Sequence, residues 1–85
     1  MNYEIEEEIL ENYEPALSTF MNLLEKNHQK HGLEFRGKSI GWMLSRLRQE
    51  EAEWRKAIIT EDKICEAIDC SIMWFLIAQK HWLGA

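Results

Sequence analysis

Ile64-Cys65-Glu66-Ala67-Ile68-Asp69-Cys70-Ser71-Ile72-Met73-Trp74-Phe75-Leu76-Ile77-Ala78 is the most apolar stretch of this 85-residue chain, and its only carboxylates are Glu66 and Asp69. No sustained period-two alternation and no Asn-Gly or Asp-Gly hairpin signal occurs anywhere in the chain, so strands are not expected. The stretch reads as the body of a helix from about Glu61 to Trp82, capped by Thr60 and ended by Gly84. The run from Cys70 to Ala78 is about half the length needed to cross a bilayer and contains Ser71, so it reads as a buried core helix. Glu66 and Asp69 are three positions apart and therefore project from one helical face, about 5–6 Å apart at Cβ. An ionised carboxylate in such apolar company costs several kcal/mol without a partner, or takes up a proton instead. Something cationic is expected between the acids.

Immediately upstream lies a second pair with the same spacing, Glu50 and Glu53. It sits on a predicted helix that starts at the N-cap Ser39 and carries the apolar stripe Ile40, Met43, Leu44, Leu47, Trp54 and Ile58. Glu51 interrupts that stripe, which supports a polar pocket along the helix. On its own this pair also fits a solvated surface, because Arg46, Arg48, Arg55 and Lys56 offer ordinary ion-pair partners. Two carboxylate pairs on neighbouring helices can converge on one point. Four carboxylates without a nearby histidine favour a hard, oxygen-preferring ion, Mg²⁺ or Mn²⁺, over zinc.

Glu50-Glu51-Ala52-Glu53, twelve intervening residues and then Glu66-Ala67-Ile68-Asp69 resemble the ordered ExxE and ExxD signature of the MazG-like all-α nucleoside triphosphate pyrophosphohydrolases. The resemblance runs from about Ser39 to Gly84. It implies a helical bundle of three to four helices, completed by oligomerisation to a dimer or tetramer. It also implies that Glu50, Glu53, Glu66 and Asp69 are the metal-binding and catalytic acids, holding Mg²⁺ on a (d)NTP that is hydrolysed to (d)NMP and pyrophosphate in nucleotide-pool control. One of these acids, or Glu51, would take the proton of the attacking water. Trp54 and Trp42 are candidates to stack on the base, with core filling as the alternative role. Arg36, Lys38, Arg46 and Lys80 are candidates for the phosphates; many family members carry this Lys or Arg in a segment beyond the ExxD helix. Two other readings are a MazG-like nucleotide- and metal-binding regulatory module with little turnover, and a structural helical oligomer.

Toward the N-terminus, residues 3 to about 30 combine strong helix formers with an apolar recurrence at Leu10, Tyr13, Leu17, Phe20, Met21 and Leu24. Pro15 interrupts them, predicting either a kink near Glu11 to Glu14 or a short helix followed by another starting at Pro15. Gly32 is placed to end this segment, and residues 31–38 read as a loop. The organisation is thus a single domain over 1–85, with an N-terminal helical segment over 1–31 and the ExxE/ExxD helix pair over 39–84.

A net charge of −5 provides no general footprint for duplex nucleic acid, although a bound metal would supply local positive charge for a nucleotide. Four tryptophans and the apolar C-terminal half in so short a chain point to self-association. Cys65 and Cys70 point in different directions on one helix and read as buried thiols, as in a reducing compartment. The acidic start Met-Asn-Tyr-Glu-Ile-Glu-Glu-Glu has no signal-peptide character, and a cytoplasmic location is expected. His28, His31 and His81 lie near predicted helix C-termini, where a cationic side chain suits the dipole; their spacing supports no metal site.

Overall fold

A computed structural model describes residues 2–84. It is all-helical: α1 (Tyr3–His31), a 3-10 turn (Glu34–Gly37), α2 (Ile40–Lys56) and α3 (Thr60–Trp82) follow one another, and no strand occurs among the described residues.

The helix ends follow from local chemistry. Asn2 caps α1 by accepting a hydrogen bond from the Glu4 amide at 2.8 Å, and Glu4 and Glu6 place negative charge in the first turn. Pro15 does not divide α1: one continuous helix runs through it, correcting the alternative of two separate helices. The missing Pro15 amide leaves one gap in the ladder, while Thr19 Oγ1 donates to the Pro15 carbonyl at 2.9 Å and the residues beyond it pack onto the protein. Gly32 ends α1 at φ 58°, a backbone region open to glycine, and its amide donates to the His28 carbonyl. Ser39 caps α2 as expected, its Oγ accepting from the Trp42 amide at 3.0 Å. Thr60 does not cap α3. It is the first helical residue, the cap position belongs to Ile59, and no side chain bonds to that end.

Residues 57–59 join α2 to α3. Met43 and Leu47 near the start of α2 cluster with Ile77 near the end of α3, whereas Lys63 at the start of α3 reaches the Trp54 carbonyl at 2.9 Å. The two helices are therefore antiparallel, and the fold of the hairpin puts Glu53 opposite Glu66 and Glu50 opposite Asp69. This is the packing that positions the site.

The core is small. Met43, Leu47, Ile72 and Ile77 are its buried members, with Phe35, Leu44, Met73 and Leu76 packed around Met43, Leu47 and Ile77. The expected α2 stripe ends at Leu47; Trp54 and Ile58 are exposed, because the hairpin connection carries Ile58 beyond the packed length of the helix. The apolar run of α3 is likewise buried on one face alone, and Trp74 and Phe75 are about half exposed. α1 packs on α3 through half-buried side chains, with Phe20 meeting Phe75 edge-to-face at 5.6 Å, and has no fully buried residue. Inside the segment expected to be plain loop, the 3-10 turn is pinned by Lys80, whose buried ammonium donates to the Arg36 carbonyl at 2.8 Å. Cys65 is exposed and Cys70 half-buried, both unbridged, so the expectation of two buried thiols holds for neither in full. No described helix is long and apolar enough to cross a membrane.

Candidate metal centre

Glu50 and Glu53 lie one turn apart near the end of α2, and Glu66 lies in the second turn of α3, facing them across the hairpin. One carboxylate oxygen from each of the three comes within 4.8 Å of the others. Oxygens sharing one Mg²⁺ at about 2.1 Å would sit roughly 3–4 Å apart, so small side-chain adjustments separate this arrangement from a ligand set. Asp69 does not belong to this triad. It lies one turn beyond Glu66, beside Glu50, where both line a neighbouring cavity.

The electrostatics are those of an undercompensated acid cluster. Burial, then the charges of Glu53 and Asp69, push the Glu50 carboxyl up to about 7 from an ordinary 4.5, against the opposing pull of Arg46. Burial and the same two neighbours raise Glu66, and burial with Glu53 raises Asp69. The Cys70 thiol is also pushed up, by burial and the surrounding acids, which keeps it protonated and unreactive. One guanidinium opposes this charge: Arg46 bonds Glu50 at 3.1 Å and also donates to Gln49 at 2.8 Å. The Glu66 Oε2 atom is buried without any hydrogen-bond partner. A buried, partnerless carboxylate oxygen among three converging acids is the arrangement a divalent cation would complete, so the residues fit such an ion.

Next to the acids opens a cavity of about 640 Å³ between α1, the 3-10 turn and the α2–α3 hairpin. Its volume falls within the range of about 300–1,000 Å³ usual for small-molecule sites. Lys26 and Lys30 contribute from α1, Lys38 from the end of the turn, and Arg46 from α2, while Glu34, Glu50 and Asp69 contribute carboxylates. Trp42 forms part of the wall, and the Lys38 ammonium lies 4.9 Å from its ring centroid.

The expected substrate residues therefore separate. Lys38, Trp42 and Arg46 meet at the cavity. Trp54 does not line it; its half-exposed ring carries the Lys63 ammonium 4.5 Å from the centroid. Lys80 is elsewhere too, because its position in α3 buries the side chain and commits the ammonium to the Arg36 carbonyl. Lys26 and Lys30 were missed from sequence. Their signal was available as two cations four positions apart on one helical face just before the stop at Gly32.

Helical hairpin, carboxylate triad and an adjoining cavity lined by side chains of both charges together define an all-α protein with a candidate divalent-cation centre. No family model, curated protein or solved structure matches the chain.

Proposed function

We propose that this protein is a MazG-like nucleoside triphosphate pyrophosphohydrolase that uses Mg²⁺, or Mn²⁺ in its place, to convert a (d)NTP to (d)NMP and pyrophosphate in nucleotide-pool control. The reading rests on one observation: Glu50, Glu53 and Glu66 converge from two helices, one of them with a buried unpartnered oxygen, at the edge of a cavity whose lining includes three lysines, an arginine and a tryptophan beside the carboxylates of Glu34, Glu50 and Asp69.

A bound divalent cation would offset the negative charge of acids and phosphates and acidify a coordinated water. Glu50, Glu53 and Glu66 are the residues that would hold it, with Asp69 the fourth acid, facing the substrate. Lys26, Lys30 and Lys38 are the cations that would meet a triphosphate in the cavity, while Arg46 is paired with Glu50, in a chain whose overall charge is −5. Trp42 presents a ring to the base. Attack of water at the α-phosphorus breaks the bond to the α–β bridging oxygen; the bonding electron pair leaves with pyrophosphate, and a nearby carboxylate takes the proton of the water. Self-association to a dimer or tetramer belongs to the same reading.

The test is a panel of canonical and modified ribo- and deoxyribonucleoside triphosphates incubated with Mg²⁺, with pyrophosphate and monophosphate as readouts. Release of both in equal amounts from at least one substrate, lost in Glu66→Ala, is expected. Absence of pyrophosphate across the panel would end the enzymatic reading, and calorimetric titration with Mg²⁺ would then tell a binding module from a structural oligomer.

A further inference from the structure

Among the described residues Lys80 is the one charged side chain that is buried, at 7% exposure. Its ammonium donates to the Arg36 carbonyl at 2.8 Å, and no carboxylate of the described residues pairs with it. Taking an ammonium out of water for one neutral acceptor is a poor exchange for stability, and an apolar side chain of similar length serves a core at least as well. What the ammonium does there is mechanical. It ties together two residues 44 positions apart.

The Arg36 carbonyl belongs to the 3-10 turn, whose own hydrogen bonds are local: the Arg36 amide donates to the Leu33 carbonyl at 3.0 Å and the Lys38 amide to the Phe35 carbonyl at 3.1 Å. Gly32, at a positive φ, precedes the turn and Gly37 ends it, so its flanks are compliant. Two anchors hold it to the body. Phe35 packs inward against the cluster of Met43, Leu47 and Ile77, and Lys80, one turn beyond Ile77 on α3, reaches the next carbonyl along. An apolar ring fixes how deep the turn sits, whereas a directional bond from a helix fixes which way it faces.

That direction matters because the turn is a wall of the cavity. Glu34, Phe35 and Lys38 line the space, while Lys80 and Arg36 do not. Lys38 follows the turn directly, and its ammonium stands 4.9 Å from the Trp42 ring centroid. Where that cation stands depends on where the turn is held, and small displacements of a binding group are felt strongly at a site.

We infer that Lys80 is a positioning residue for the phosphate-binding side of the cavity: from behind the wall it fixes the 3-10 turn, and through the turn it sets the place of the Lys38 ammonium. Its effect on substrate rests on the cavity being the triphosphate site proposed above; its effect on the turn does not.

Lys80→Met, which keeps the length of the stem and removes the donor, is compared with Lys80→Arg, which keeps a donor. Amide exchange followed by NMR well below the melting temperature reads the turn. In Lys80→Met the Arg36 and Lys38 amides should exchange on the order of tenfold faster, the scale of one hydrogen bond to a charged group, while those of Met43, Leu47 and Ile77 keep their rates. The melting temperature should not fall, since a buried ammonium has gone. Kinetics with Mg²⁺ and a triphosphate hydrolysed by the wild type read the site: KM should rise roughly fivefold with kcat within about twofold, and Lys80→Arg should restore KM. If Lys80→Met does not fold, Lys80→Gln, with its donor on a shorter stem, carries the same expectations. Unchanged exchange in the turn, or acceleration shared equally by the core amides, would overturn the inference, as would a loosened turn with KM unmoved. A wild type that hydrolyses no triphosphate would remove the proposed function instead. Calorimetry with inorganic triphosphate, expected to bind roughly fivefold more weakly to Lys80→Met, then decides the placement of Lys38, and equal binding by both proteins, or none by either, would overturn it.

Discussion

Glu50→Gln should make the metal-free protein more stable, and by an amount that depends on pH. The substitution keeps the shape of the protonated side chain and removes the charge that the cluster disfavours. A carboxyl that titrates at about 7 in the folded chain and 4.5 when unperturbed carries a folding cost, once ionised, of up to about 3 kcal/mol. The side chain is 13% exposed, so solvent relieves little of this. Below pH 4.5 the group is protonated in both folded and unfolded chains, and variant and wild type should differ little. Between 4.5 and 7 the unfolded chain gives up its proton first, so wild-type stability falls with rising pH while that of the variant does not fall on this account. Above 7 the whole difference is present. For a domain of this size it amounts to a melting temperature higher by on the order of 10 °C in Glu50→Gln. The assay is thermal and urea denaturation in a chelator at pH 4.5, 6 and 8.5, repeated with Mg²⁺. Added Mg²⁺ should shrink the gap, because the ion stabilises the intact ligand set more than the variant. A variant no more stable than wild type at pH 8.5 without metal, or a difference constant across pH, would show that Glu50 is not held in an undercompensated cluster.

Mg²⁺ at about a hundred times its dissociation constant should stabilise the wild type by about 2.7 kcal/mol, seen as a rise in melting temperature that Glu66→Ala abolishes; identical melting with and without the ion would remove the metal centre. Ser39→Ala should cost about 1 kcal/mol in urea denaturation, since the Trp42 amide loses its acceptor. Met43→Ala, at a fully buried position in so small a core, should cost about 2–5 kcal/mol, and near-wild-type stability would mean the α2–α3 contact is wrongly placed. Replacing Lys26 and Lys30 together by alanine should raise KM for the triphosphate at least tenfold with the fold intact, while Trp54→Ala should leave KM within about twofold; the reverse ranking would move the phosphate site away from the cavity.

The helices were legible in the sequence because their signals are local. Ser39, Gly32 and the apolar periodicities bound them within a few residues, and where a boundary slipped, at Thr60, the neighbouring residue took the cap position. The approach of Glu50, Glu53 and Glu66 was also within reach of the sequence, though the expected fourth member, Asp69, stands outside the triad: three-residue spacing fixes a common face, and a hairpin closing over residues 57–59 brings 53 opposite 66 and 50 opposite 69. Tertiary packing alone decided that Asp69 stands beside the triad, that α1 lies across the hairpin and leaves a cavity against the acids, and that Lys26 and Lys30 reach that cavity while Trp54 does not. It also decided the fate of Lys80, whose long stem follows the apolar face of α3 inward and finds the Arg36 carbonyl, and of Trp74 and Phe75, half exposed on an apolar helix. Periodicity along a helix reports which side is apolar. Which neighbour covers that side, and where a flexible cation ends, depends on contacts between residues far apart in the chain.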